Sequence, residues 1–286
     1  MQLCEHLGFP LAYDKTEGPA TNIIFLGYKI DTVSMQVSIP LEKITKYQQN
    51  ILALLAANNS TLREIRSIIG KLLFFTNIID RGKCFLRRII DLTVGHSHPA
   101  TPIPLDNTVK KDLKVWQVFL KEFNGIHIIR PIEFFAKRTF QIHTDSSKKA
   151  SAGVLESNFI CGSFPEAWRI YSIQLLEIFP IFLMLNVFSH KLENSKVIFW
   201  CDNLSIVKVI NKQSSKNPLI MRFLRPMILI MLKLNIQFKA LHISGKNNVL
   251  ADKLSRLQDS PRLRMRYGLT HPTPVPQRLR PQNFKI

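Results

Sequence analysis

The chain is 286 residues long, room for about two domains of ordinary size. Hydrophobic residues make up 46% of it, which excludes a disordered polybasic chain, and 39 basic against 20 acidic residues give a formal charge of +19. That excess points to a polyanionic partner, nucleic acid first and an anionic membrane surface second, with ribosomal-type structural binding as the plain alternative.

Four cysteines, Cys4, Cys84, Cys161 and Cys201, lie far apart and form no Cys-x-x-Cys pair. That is the pattern of reduced thiols and not of a disulfide framework or a zinc site. The opening MQLCEHLGFPLAYDK lacks the basic and apolar regions of a signal peptide. The longest apolar stretches, Ile178–Phe188 and Met227–Leu232, are shorter than the roughly 18 residues a membrane span needs. The sequence therefore predicts an intracellular protein, in nucleus or cytoplasm, that is not secreted and has no membrane partner.

In chain order, TNIIFLGYKIDTVSMQVSI (21–39) alternates like a small hairpin. Pro40 opens a helical region, with Ile44, Ile51 and Leu55 as the stripe of a first helix. Thr61 and Glu64 form a capping box for a second, which carries Ile65, Ile68, Leu72 and Phe75 inward. Cys84 to Leu92 reads as a third helix. HSHPATPIP (96–104) is a linker, and a further helix from about Asp106 turns Val109, Leu113, Trp116 and Leu120 inward.

From about residue 136 strands and helices alternate. RTFQIHTD (138–145), SAGVLES and FICGSF read as three strands of a meander, and Ser172–Lys191 as a helix. KVIFWCD (196–202) is apolar up to Asp202, as suits a strand covered on both faces. Two helices (203–212 and 218–234), a strand (236–243) and a last helix (247–257) complete a mixed sheet with helices on both sides. The tail from Pro261, rich in Arg and Pro and without an acid, reads as an unstructured basic arm. There is no internal repeat.

Glu177 is the one charge in SIQLLEIFPIFLML (172–185), on a helical stripe with Ile173, Ile181 and Met184 that should face the core. A carboxylate there needs a buried cation, a hydrogen-bond network or a metal ion. Asp145 and Asp202 end strands, and the carboxyl ends of strands in α/β sheets open into the ligand crevice. Taken singly, each could be a cap or a turn residue, above all Asp202 before Asn203. Asp252, in the last helix, would ordinarily face solvent. Together the four carboxylates can converge at one sheet edge, where they need cations. Hard oxygen donors select Mg²⁺ or Mn²⁺, and two such ions about 4 Å apart suit in-line attack on a phosphodiester.

TDSS (144–147), LLE (175–177), CDN (201–203) and HISGKNNVLADKLSR (242–256) resemble the ribonuclease H domain of reverse transcriptases. Blocks such as LEIFPI, INKQSSK and ADKLSRLQ resemble the enzymes of DIRS-type, tyrosine-recombinase retrotransposons most closely. The resemblance implies a ribonuclease H-like α/β fold with a mixed five-stranded sheet and helices on both faces. It implies that Asp145, Glu177, Asp202 and Asp252 hold two Mg²⁺ or Mn²⁺ ions, with His242 assisting protonation or product release. The implied reaction is endonucleolytic hydrolysis of the RNA strand of an RNA–DNA hybrid. The pattern departs from the family at Ser151, where a glycine is common (Gly153 keeps another), and at Ser244, where proline is frequent.

IFLGYKIDT also resembles the primer-grip hairpin of reverse transcriptases, KTEGP (15–19) the segment before it, and residues 41–95 the helical thumb. The implied organisation is a palm remnant with primer-grip-like hairpin (1–40), a mostly helical thumb-like region (41–98), a connecting segment with one helix (99–135), the ribonuclease H-like domain (136–258) and a basic disordered tail (259–286). No two aspartates are adjacent in the chain, so it lacks the Tyr-x-Asp-Asp site of the polymerase and reads as a truncated element, with the polymerase portion as a candidate partner. A catalytically inactive nucleic-acid-binding remnant is the alternative, and a fold-sharing nuclease acting on DNA a second. Lys148, Lys149, Lys208, Lys212, Lys216 and Arg256, with Arg222 and Arg225, are the expected phosphate contacts. Phe164 and Trp168 are expected in the core.

Overall fold

The computed structural model describes the chain except residues 1, 13, 15, 123–126, 129–138 and 285–286, and gives only the backbone of Gln2, Asp80, His127 and Ile128. Part of the expected connecting segment, Lys15 of KTEGP and the start of the first meander strand lie outside the described residues. Two compact units emerge, residues 1–82 with 88–131 and residues 83–87 with 132–286.

The first unit opens with a short helix α1 (Gln2–His6) and a strand meander, β1 (Asn22–Phe25), β2 (Tyr28–Asp31) and β3 (Gln36–Ser38). Leu26 and Gly27, both with positive φ, turn the chain between β1 and β2. The span 21–39, expected to be a hairpin, thus holds three strands, and a distant strand β6 (His127–Ile128) pairs with β3. Helix α2 (Leu41–Ala56) buries Ile44 and Ile51, with Leu55 half-buried. Strand β4 (Asn59–Thr61) leads into α3 (Leu62–Phe75), whose capping box is formed as expected by Thr61 and Glu64. Tyr28 stacks on Phe74 of α3 at 4.3 Å and donates its hydroxyl to the Phe74 carbonyl at 3.0 Å, which fastens the meander to the helices.

The helix expected over 84–92 is divided into a 3-10 segment (Asp80–Phe85) and a short α4 (Arg87–Asp91). Strand β5 (Pro102–Pro104), inside the stretch read as linker, pairs with β4. Helix α5 (Asn107–Glu122) turns Val109, Leu113, Trp116 and Leu120 inward as its period predicts. It also buries Asp112, which pairs with Arg88 at 3.0 Å.

The second unit is a five-stranded mixed α/β sheet with helices packed against it. Its strands are β7 (Thr139–Ser146), β8 (Ala150–Leu155), β9 (Asn158–Ser163), β10 (Lys196–Cys201) and β11 (Gln237–His242), in spatial order β11-β10-β7-β8-β9. The meander β7–β8–β9 is antiparallel, and β10 runs parallel to both β7 and β11. Helices α6 (Ile173–Val187), α7 (Leu204–Lys212), α8 (Pro218–Lys233) and α9 (Val249–Ser255) follow the order read from sequence. Helix α6 is buried on every side from Leu175 to Leu185, whereas Ile173, placed on its inward stripe by periodicity, is 40% exposed. Trp168 and Phe164 are buried and stacked at 5.4 Å, as expected for core residues. Among the described residues, no helix is long and apolar enough to cross a membrane.

The tail corrects the sequence reading. Residues 261–267 form a helix, α10 (Pro261–Tyr267), capped by the Ser260 side chain and closed by Gly268 at φ 59°. Leu263 joins a buried cluster with Ala152, Val154, Phe159 and Leu254, and Tyr267 packs against the same cluster. The backbone N–H groups of Thr270 and Thr273 then donate to the carbonyls of Ser157 and Phe159. Phe284 lies 5.6–5.8 Å from the rings of Phe179, Phe182 and Phe223. The charge pattern concealed these apolar anchors, although Ser-Pro before and Gly after the helix are a legible start and stop.

Gly153 shows how closely α6 approaches the sheet: a Cβ there would lie 2.3 Å from Met184 Cγ. Gly153→Ala should therefore lower stability by about 1–3 kcal/mol through overpacking. Chemical denaturation checks this, and an unchanged midpoint would show that Met184 yields freely.

Candidate active site

Four elements deliver the acids. Asp145 lies near the end of β7, Glu177 in the first half of α6, Asp202 directly after β10 and Asp252 within α9. All four line one cleft, together with Ser146, Asn203, Ser255 and Arg256. Asp202 is free of the capping role that its position suggested. The residue after it, Asn203, is the cap of α7 and accepts from the N–H groups of Ser205 and Ile206.

TDSS acts as a bracket. The Thr144 carbonyl accepts from Asn248 Nδ2 at 2.9 Å, holding the start of α9. Asp145 accepts a short hydrogen bond from Ser255 Oγ. Ser146 Oγ donates to the Leu176 carbonyl of α6 at 2.8 Å, and Ser147 Oγ to the Ser255 carbonyl at 3.0 Å. Asn248 and Ser255 are buried residues that sequence reasoning missed. Their partners are more than a hundred residues away in the chain, and the local pattern carries no sign of them.

Burial and mutual charge govern the electrostatics. Burial first, then the charges of Asp145 and Asp202, push the Glu177 carboxyl up to about 9; the Ser146 backbone N–H and the Cys201 thiol act the other way. Asp145 is raised by burial and by Asp202 and Asp252, against the Ser255 hydroxyl, and Asp202 is raised chiefly by burial. Burial, then the charge of Glu177, also pushes the Cys201 thiol up. Its Sγ–H donates to Glu177 Oε2 at 3.7 Å. A ligand oxygen of Glu177, one of Asp202 and the Cys201 sulfur all lie within 4.8 Å of one another.

Buried carboxylates such as Glu177, Asp145 and Asp202, whose ionised forms are disfavoured by burial and by neighbouring negative charge, are a donor set that a hard divalent cation stabilises in ionised form. The residues present fit such an ion. The fit is looser at Asp252, whose Oδ1 accepts from Arg256 Nη2 at 2.7 Å and from Nε at 2.8 Å.

His242 ends β11 and is exposed, its Nε2 3.1 Å from the Asp202 backbone oxygen. The expected phosphate contacts divide. Lys149, Lys208, Lys212, Lys216 and Arg222 are exposed. Lys148 and Arg256 are also exposed but engaged, Lys148 donating to the carbonyls of Arg169 and Tyr171 at 3.2 and 2.5 Å and Arg256 pairing with Asp252, whereas Arg225 is buried at 8% exposure.

No family model matches the sequence, and no curated protein is similar to it. Among solved structures, ribonuclease H1 from the halophilic archaeon Halobacterium salinarum NRC-1 is 13% identical, covering 43% of this chain and 99% of that one, with a TM-score of 0.37. The foamy viral protease–reverse transcriptase in complex with RNA/DNA hybrid is 13% identical over 80% of this chain and 30% of that one, TM-score 0.31. The same viral enzyme in complex with double-stranded DNA is 14% identical over 79% and 45%, TM-score 0.29. The chain thus spans less than half the length of the viral enzymes it matches.

Proposed function

We propose that the chain hydrolyses the RNA strand of RNA–DNA hybrids endonucleolytically, as the ribonuclease H portion of a reverse transcriptase from a DIRS-type retroelement. The observation that carries this is the convergence of Asp145, Glu177, Asp202 and Asp252 on one cleft with Glu177 buried beneath it. These four would hold Mg²⁺ or Mn²⁺, two ions in this reading, supplying an activated water and stabilisation of the leaving oxygen. Ser255 orients Asp145, Ser146 sets β7 against α6, and His242 stands beside Asp202 to exchange a proton with solvent. Lys149, Lys208, Lys212 and Lys216 hold the phosphates. The element assignment rests on the LEIFPI, INKQSSK and ADKLSRLQ blocks. A polymerase portion is the proposed protein partner, and the nucleus or cytoplasm the proposed location.

The test is cleavage of a hybrid labelled on its RNA strand, with Mg²⁺ and with chelator. RNA fragments that require the metal support the reading. Hybrid binding without cleavage favours a non-catalytic remnant, which the Arg256–Asp252 pair would suit. Equal cleavage of duplex DNA overturns the RNA specificity. Binding should also weaken with salt: four phosphate contacts predict about a hundredfold loss between roughly 50 and 200 mM. An affinity indifferent to salt in a filter-binding titration would remove the lysines from the interface.

A further inference from the structure

Helix α6 carries Pro180 in its interior. Proline has no backbone N–H, so the carbonyl four residues back, that of Leu176, loses its helical donor. Leu176 is fully buried, so its carbonyl cannot turn to water, and an unmet buried acceptor is costly. The structure brings a substitute donor from another element: Ser146 Oγ–H, itself buried, reaches the Leu176 oxygen at 2.8 Å.

The position of this bond gives it consequence. Ser146 follows Asp145 directly at the end of β7, and Glu177 follows Leu176 directly in α6. The bond therefore fastens strand to helix one residue from each of two carboxylates. An ordinary residue at 180 would give the Leu176 carbonyl its own helical N–H, so Ser146 would be a second donor to an oxygen already satisfied and no longer required there.

We propose that Pro180 is a positioning residue for the acidic centre: by stripping Leu176 of its helical donor it reserves that carbonyl for Ser146, which fixes Asp145 against Glu177. Pro180 touches no substrate and acts only through Ser146. The inference rests on the metal-nuclease reading above and deepens it.

The experiment is a double-mutant cycle on the full chain with Ser146→Ala, Pro180→Ala and both, read by melting temperature at increasing MgCl₂ and by hybrid hydrolysis. Ser146→Ala should raise the MgCl₂ needed for half-maximal thermal stabilisation by about 10- to 100-fold, the usual effect of removing a group that orients metal ligands. Pro180→Ala should raise it in the same direction, and the double variant should resemble the worse single one, because both remove one bond. Melting without metal should show the complement. Ser146→Ala strands the Leu176 carbonyl when residue 180 is proline and costs far less when it is alanine. Should Ser146→Ala not fold, the double variant should, since alanine at position 180 supplies the missing N–H; its failure to fold overturns the proposal. Multiplicative effects on the MgCl₂ midpoint, or no movement of it, also overturn the proposal. A wild-type chain indifferent to MgCl₂ overturns the nuclease reading and this inference with it.

Discussion

Glu177→Gln is expected to lower hybrid hydrolysis at least about a thousandfold, since metal-held charge contributes several kcal/mol and each ~1.4 kcal/mol is tenfold in rate. The apo protein should nevertheless be as stable as wild type, or more so. Burial and the charges of Asp145 and Asp202 raise the Glu177 carboxyl from its ordinary 4.5 to about 9. The folded state therefore favours the protonated form. That contribution to stability is complete below pH 4.5 and is lost as the pH rises toward 9. Without metal, the wild type should melt progressively lower over this interval, and the Glu177→Gln variant, whose amide carries no titrating proton, should show a flatter profile. Mg²⁺ should restore melting at high pH in the wild type far more than in the variant. A core ion pair at this position predicts the opposite: breaking it would destabilise the variant by about 3–5 kcal/mol. A Glu177→Gln variant that melts much lower at alkaline pH while its folded fraction still cleaves would remove Glu177 from the metal set.

Asp145→Asn should be at least as damaging to activity. The charge of Asp145 raises Glu177, and Asp145 is itself raised by burial and by the charges of Asp202 and Asp252. The amide keeps an oxygen for the Ser255 hydroxyl, so the link between β7 and α9 survives. Removing this charge also relieves Glu177 in part, while burial continues to hold its carboxyl up. Hydrolysis is expected to fall by about a thousandfold or more. Hybrid binding, carried by Lys and Arg, should be unchanged or slightly tighter, because one negative charge leaves the path of the phosphates. Single-turnover cleavage and equilibrium binding on one preparation decide this. Activity within about tenfold of wild type would place Asp145 outside the chemistry.

What could be read from the chain was what neighbours in sequence determine. The unbroken apolar run of β10 announced a central strand covered on both faces, and the strand does lie between two others; Thr61 with Glu64 announced the start of α3. The 3.6-residue period of α5 placed Val109, Leu113, Trp116 and Leu120 inward. Of the four acids Glu177 alone violates its local pattern, a charge inside an apolar helix; Asp145, Asp202 and Asp252 each have an ordinary local reading and became conspicuous only as a set.

Tertiary structure decided what depends on partners far away along the chain. Ser255 reaches Asp145 across 110 positions, Asn248 reaches Thr144 across 104, and Ser146 meets Leu176 across 30. None of these serines and asparagines differs locally from a surface residue. Lys148 and Arg256 read as free phosphate ligands, yet packing sets two carbonyls before the first and Asp252 before the second. The basic tail folds because Leu263, Tyr267 and Phe284 find apolar surfaces built by β8, β9, α6 and α8. A charge count along the tail registers its arginines; burial of Leu263 and partial burial of Tyr267 and Phe284, against surfaces that exist only once the sheet and helices have assembled, is what orders it.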